Sequence, residues 1–228
     1  MITLKVGTIK TYYVHSKLIS SASAVLDRQI KSQMKEGSTK TIVMDDDLTD
    51  EPIAFDSFTQ FCYLGDYVNL GPKTPTDLLS HARIYVLAEK IEALELKNLA
   101  LRKATALCVG MEYEEATALE SLLSVFFDVV SLIYDGTYDV HAGKMPSNCA
   151  MPVVDGDSAT TKITRDGFRL LLAKFVVCYA DRIQELKDDQ FFAPFQELTE
   201  YAEDIEMFAR DHNYWDKLSV DYKGYLEV

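Results

Sequence analysis

Cysteine is scarce in this chain of 228 residues: four, at positions 62, 108, 149 and 178, with no C-x-x-C pair. That is too few for a disulfide framework at this length and points to a reduced compartment. Basic charge is also in deficit. Thirty-six acidic residues face 23 basic ones, for a formal charge of −13, which argues against sequence-independent binding to nucleic acid or to an anionic membrane. Long apolar runs are missing as well. The greasiest stretches, 125–133 and 170–180, are interrupted by Asp128, Ser131 and Lys174 and fall short of the roughly 20 residues a membrane span needs. Met1–Val6 alternates apolar with polar residues rather than forming the apolar block of a signal peptide, so an intracellular setting, cytoplasm or nucleus, is the expectation.

The signatures of common chemistries are absent too. The chain has no P-loop, no G-x-G-x-x-G and no G-x-S-x-G elbow. Asp45-Asp46-Asp47 lacks the alternate spacing, glycine and distal glutamate of a calcium loop, and nothing flanking Asp155-Gly156-Asp157 completes a site. The histidines at 15, 81, 141 and 212 are scattered, without the clustered donors that zinc requires. His15, closing a strand beside Val14, reads as a structural histidine hydrogen-bonded to backbone. The expectation is a chain with no cofactor, no metal and no catalysis of its own. An enzyme built on the helical half is the outsider.

What is present is an ordered change of pattern. Ile2, Leu4 and Val6 alternate with polar residues as in a half-buried strand, Gly7-Thr8 suits a hairpin turn, and Ile9–Val14 reads as the return strand. A helical turn follows around Lys17–Ile19. Leu26, Ile30 and Met34 then make the stripe of an amphipathic helix over Ala22–Lys35. Thr41–Met44 is a third strand. Asp50 and Pro52 mark a helix start, with Phe55, Phe58 and Cys62 as its apolar stripe and Gly65 as its stop. Thr74-Pro75-Thr76-Asp77 starts another helix, running to about Lys90, and a further one spans Leu94–Cys108. No βαβ unit repeats, so the fold class is α+β: a small three-stranded sheet flanked by helices.

After residue 109 the composition shifts. Residues 1–109 hold 13 basic and 13 acidic residues, whereas residues 110–228 hold 10 and 23. A boundary at 109/110 is expected, with an all-helical C-terminal extension. Thr117–Tyr134 and Asp166–Ile183 are apolar on nearly every side, which suggests helices packed on several faces. The aperiodic, polar segment 136–163 between them reads as mobile. A last helix over Pro194–Asp211 turns Glu197, Glu200, Glu203, Asp204 and Glu206 to water.

Five stretches taken in order are more specific. Val14-His15-Ser16-Lys17-Leu18-Ile19-Ser20-Ser21-Ala22-Ser23 resembles the signature of BTB/POZ domains. Met34-Lys35-Glu36 followed by Ile42-Val43-Met44, the helix end Phe58–Gly65, the segment Leu78–Leu87 and then Leu94–Leu101 are each similar to that family's next motif. Tyr134-Asp135-Gly136-Thr137 and Arg169–Phe175 resemble the helical tails of BTB proteins common in fungi. The resemblance implies a protein-interaction module, and more sharply a substrate adaptor for a cullin-type ubiquitin ligase. The alternative is a scaffold or transcription-associated dimerisation protein with no ligase role. It also implies where partners bind: at the hydrophobic-x-Glu motif Met34 and Glu36, and at a second surface comprising Phe61, Tyr63, Asp66 and Tyr67. Because the chain starts directly on the first strand, without the extra N-terminal element of many dimeric relatives, a monomer or weak homodimer is expected.

Overall fold

The computed structural model describes residues 1–6, 10–32, 40–44, 52–68, 74, 76–110, 116–137, 166–181, 183 and 198–211. They divide into two compact units, Met1–Ile133 and Tyr134–Val228.

The first unit is a mixed α+β structure. Strands β1 (Ile2–Val6), β2 (Lys10–Val14) and β3 (Thr41–Met44) form one sheet in the order β2-β1-β3. β1 is antiparallel to β2 and parallel to β3. The alternation read in the sequence sets the faces: Ile2, Leu4, Val6, Val14, Ile42 and Met44 are buried on one side. α1 (Ser16–Ala22), α2 (Ala24–Lys31), α3 (Pro52–Leu64), α4 (Asp77–Lys90) and α5 (Leu94–Gly110) supply the helices. α4 packs on α3 and α5, and α1 touches both α3 and α5. α5 ends at Gly110, one residue past the expected boundary at 109/110, and the two compact units divide further on, between Ile133 and Tyr134. The next helix, α6 (Ala116–Gly136), runs through the division between the units.

Two helix ends in this unit depart from expectation. The helix expected over Ala22–Lys35 is broken at Ser23, whose extended backbone ends α1 and starts α2. The fully buried Ser23 hydroxyl accepts from the Leu26 amide at 3.1 Å and donates to the Ile91 carbonyl at 2.6 Å. Met34 and the rest of that expected helix beyond Ser32 lie outside the described residues. Ile91 belongs to the second unforeseen feature, the turn between α4 and α5. Glu92 adopts a left-handed backbone (φ 52°), the amide of Ala93 bonds back to Ala88 at 2.8 Å and that of Glu92 to Glu89 at 3.1 Å. This is a Schellman ending built without the usual glycine. The Glu92 carboxylate is forked by Arg28 at 2.8 and 2.9 Å, which holds it below its ordinary pKa, and its carbonyl accepts from Ala24 at 3.3 Å. α4 starts later than the sequence reading, at Asp77 with Thr76 as its N-cap and no side-chain cap bond, although Asp77 does reach back to the Thr74 amide at 2.9 Å.

Apolar packing in the helices is more one-sided than their composition suggests. α6 buries Leu119, Leu122, Leu123, Phe126, Val130 and Ile133 but exposes Glu120, Ser124, Phe127 and Asp128. The spacing of three and four residues therefore makes a single stripe, not a helix packed all round. α7 (Gly167–Cys178), capped by Asp166 on the amides of Phe168 and Arg169, exposes only the narrow line Leu170, Lys174 and Cys178. It packs against α8 (Thr199–Asp211).

At the centre of the second unit lies Arg169, 2% exposed. Its Nε donates to the Thr137 hydroxyl at 3.1 Å, its Nη2 to the carbonyls of Tyr134 (3.2 Å) and Thr137 (2.6 Å), and its Nη1 to Glu200 at 2.7 Å. The guanidinium also lies over the Tyr134 ring, 4.4 Å from its centre. Thr137, expected in a mobile loop, is buried at the end of α6; residues 138–163 of that loop lie outside the described residues. Asp204, expected to face water, is buried and accepts from the Tyr134 hydroxyl at 2.7 Å, whereas Glu200 and Glu203 are exposed. Glu197 lies outside the described residues. No helix among the described residues is long and apolar enough to cross a membrane.

Arg169→Lys should destabilise nearly as much as Arg169→Ala, by about 3 kcal/mol, because one ammonium cannot replace a fork that satisfies three buried oxygens at once. Ser23→Ala should cost about 1–2 kcal/mol through loss of the α2 cap and of the bond to Ile91. Urea denaturation of the three variants checks both values.

Candidate functional site

The expected contact residues at 61–67 gather where α3 ends. Phe55 and Phe58 anchor this helix in the core, and Cys62 is half-buried. α3 terminates at Leu64, and Gly65 supplies the left-handed residue after it (φ 69°). A Cβ at Gly65 would meet no atom within 4 Å, so glycine is required there by backbone conformation and not by space.

The chain beyond Gly65 is held from three helices. From α5, Lys103 pairs with Asp66 at 2.6 Å, donates to the Tyr67 carbonyl and sits over the Tyr67 ring, 4.1 Å from its centre. From α4, His81 Nδ1 lies 2.9 Å from the Tyr67 hydroxyl. From α3, the Gln60 amide oxygen accepts from the Val68 backbone at 3.1 Å. The Lys103 hydrogen bond, aided by the Tyr67 amide and the nearby Arg102, holds the Asp66 carboxyl below its ordinary range. Burial, with the Asp66 charge adding to it, pushes the Tyr67 phenol up.

Of the expected residues, Tyr63 is 46% exposed, Asp66 is exposed and Phe61 is half-buried. Tyr67 is different. Its side chain is fully buried, so the expectation that it contacts a partner is corrected: it is the core peg on which the turn is mounted. Met34 and Glu36 lie outside the described residues. The sequence reading missed Leu64 and Val68, which are 69% and 57% exposed beside Tyr63. A leucine immediately before a helix-ending glycine, off the Phe55–Phe58 stripe, was the available signal.

Tyr63 is itself braced. Its hydroxyl accepts from the His15 amide at 3.2 Å and lies 2.9 Å from His15 Nδ1, with the two rings edge to face. His15 therefore bonds through its ring to a tyrosine hydroxyl, not to backbone as the sequence suggested. The chain leading into it is fixed further up: Lys10 grips both oxygens of Asp56 at 2.6 Å, and the Tyr12 hydroxyl donates to the same carboxylate at 3.0 Å. Burial, followed by this carboxylate, pushes the Tyr12 phenol up.

Burial pushes the Cys62 thiol up to about 12, so it is no nucleophile at neutral pH. Among the described residues no group of three or more His, Cys, Asp or Glu side chains could hold a metal ion. Asp45–Asp47, Asp155–Asp157, His141 and His212 lie outside them. No family model matches the chain, and no curated protein matches it.

Cys178 is exposed, whereas burial pushes the Cys108 thiol, like that of Cys62, up to about 12. Alkylation of the native protein at pH 8, read by peptide mass spectrometry, should label Cys178 before Cys62 or Cys108. The lowered Asp66 pKa means that its tether to Lys103 is intact above the ordinary carboxylate range and is lost as the pH falls through the folded-state value. A carbon-detected titration of Asp66 should give a midpoint below the ~3.9 of an unperturbed aspartate.

Proposed function

We propose that this chain is a BTB/POZ-type protein-interaction module that acts as a substrate adaptor for a cullin-type ubiquitin ligase. The observation that carries the reading is the exposed group Tyr63, Leu64 and Val68, presented on a turn that is pinned from α3, α4 and α5. Exposed apolar side chains on a pre-ordered backbone suit protein recognition, because little conformational freedom is lost on docking. This is the surface at which the resemblance places a second partner contact. The order of elements supports the same reading: the Val14-His15 stretch joins β2 to α1, its Ser23 divides α1 from α2, and the Leu78–Leu87 stretch lies within α4.

In this reading Met34 and Glu36 form the other part of the cullin contact. The methionine thioether adapts to a pocket and the glutamate pairs with a basic group at the rim. The partners are proteins, a cullin and a substrate; nucleic acid and membrane are not among them.

The test uses the full chain and the N-terminal region of a cullin. Glu36→Lys and Leu64→Asp should each weaken binding at least tenfold while changing stability by only a few tenths of a kcal/mol, as surface substitutions do. No binding by the wild-type chain at micromolar concentration would overturn the adaptor role and leave a scaffold without ligase function.

A further inference from the structure

Strand β2 is an edge of the sheet, and its backbone has a free side. The Thr3 amide donates to the Lys40 carbonyl at 2.8 Å, toward β3. Peptide groups alternate sides along a strand, so those of Ile2, Leu4 and Val6 point to β2, and those of their partners Val14, Tyr12 and Lys10 point back. Thr11, Tyr13 and His15 therefore direct their amides and carbonyls away from β1. The His15 amide does so visibly, donating to the Tyr63 hydroxyl at 3.2 Å. Thr11 and Tyr13 have no such partner among the described residues, and both are exposed.

The usual protections of a sheet edge are missing from β2. It contains no proline and no glycine, its register with β1 runs without a bulge, and its one charged residue, Lys10, is held by Asp56. Donors and acceptors repeating at alternate residues of an extended backbone are matched in full only by another extended backbone. β2 of a second copy is such a strand. It carries the same pattern and is already ordered, so pairing costs little conformational freedom. The register follows from the occupied His15 amide. A two-fold axis at Tyr12 is the arrangement that pairs the two free residues with each other, setting Thr11 opposite Tyr13 of the other copy, twice. Opposed residues share a face, and an aromatic beside a β-branched side chain is a favourable pair. Lys10 then stands opposite Val14, and no like charges meet along the strand.

We infer that β2 pairs edge to edge with β2 of a second copy of this chain, joining two three-stranded sheets into one across a two-fold axis. The pairing uses none of the exposed residues at the end of α3. It does not rest on the adaptor reading, and either can fail without the other.

The test follows the isotopically labelled full chain from micromolar to millimolar concentration by sedimentation velocity and amide hydrogen exchange. A monomer–dimer equilibrium should appear, strengthened by added salt, which screens the net charge of −13. The amides of Thr11 and Tyr13 should gain about tenfold protection or more in the dimer, whereas those of Tyr12 and Val14, already bonded to β1, should not change. Tyr13→Pro should abolish the dimer and leave circular dichroism unchanged, because proline is tolerated where an edge amide faces water. Chains carrying Thr11→Lys with Tyr13→Lys, or Thr11→Glu with Tyr13→Glu, should each be monomeric, and mixing the two should restore the dimer. A wild-type chain that stays monomeric at millimolar concentration would overturn the proposal and leave the edge to a strand of another protein. A dimer that survives Tyr13→Pro, that mixing does not restore, or in which Thr11 and Tyr13 stay unprotected would overturn it as well.

Discussion

A helix end that is buried must find partners for backbone groups that water can no longer reach, and both units of this protein are organised around that constraint. In the first unit the problem is met at Ser23. One hydroxyl caps α2 and closes onto the carbonyl of Ile91, so the break between α1 and α2 and the turn between α4 and α5 satisfy each other. Glu92 completes the junction: its left-handed backbone closes the Schellman ending while its carboxylate is forked by Arg28. A non-glycine residue there carries a steric cost of about 1–2 kcal/mol, which the contacts around it offset.

The second unit solves the same problem with a charge. Arg169 sits on the last carbonyls of α6, where a cation also complements the negative end of the helix dipole. Four donors are directed at four oxygens, and the one charged acceptor, Glu200, stays in water. That asymmetry matters. A carboxylate that remains solvated loses little hydration, so the buried guanidinium has a counter-ion without the cost of desolvating a full ion pair. The Tyr134-Asp135-Gly136-Thr137 and Arg169–Phe175 stretches, far apart in sequence, are brought together by these bonds.

The same economy of polar groups shapes the turn after α3. Tyr67 is buried so that its neighbours need not be: its hydroxyl, ring and carbonyl are engaged by His81 and Lys103, and the exposed Leu64 and Val68 flank a backbone that is already fixed. Residue type alone misleads here. A tyrosine directly after an aspartate-containing turn looks like a surface aromatic, yet its phenol has a partner from α4 and its ring a cation from α5. Neither is adjacent in sequence, at 14 and 36 residues away.

Period and punctuation in the sequence determined much of the architecture. Alternation determined β1 and its buried face, Gly65 determined the end of α3, the Thr74–Asp77 signal marked the start of α4 to within one turn, and the α+β class followed from their order. These are local effects, carried by residues a few positions apart. The tertiary structure decided what depends on groups far apart in the chain: the break at Ser23, the left-handed Glu92 without glycine, the burial of Tyr67, Thr137 and Asp204, and the exposure of Leu64 and Phe127. In each case one side chain's surroundings come from another helix, and burial reverses what its polarity alone would dictate once a hydrogen-bond partner arrives from outside the local window.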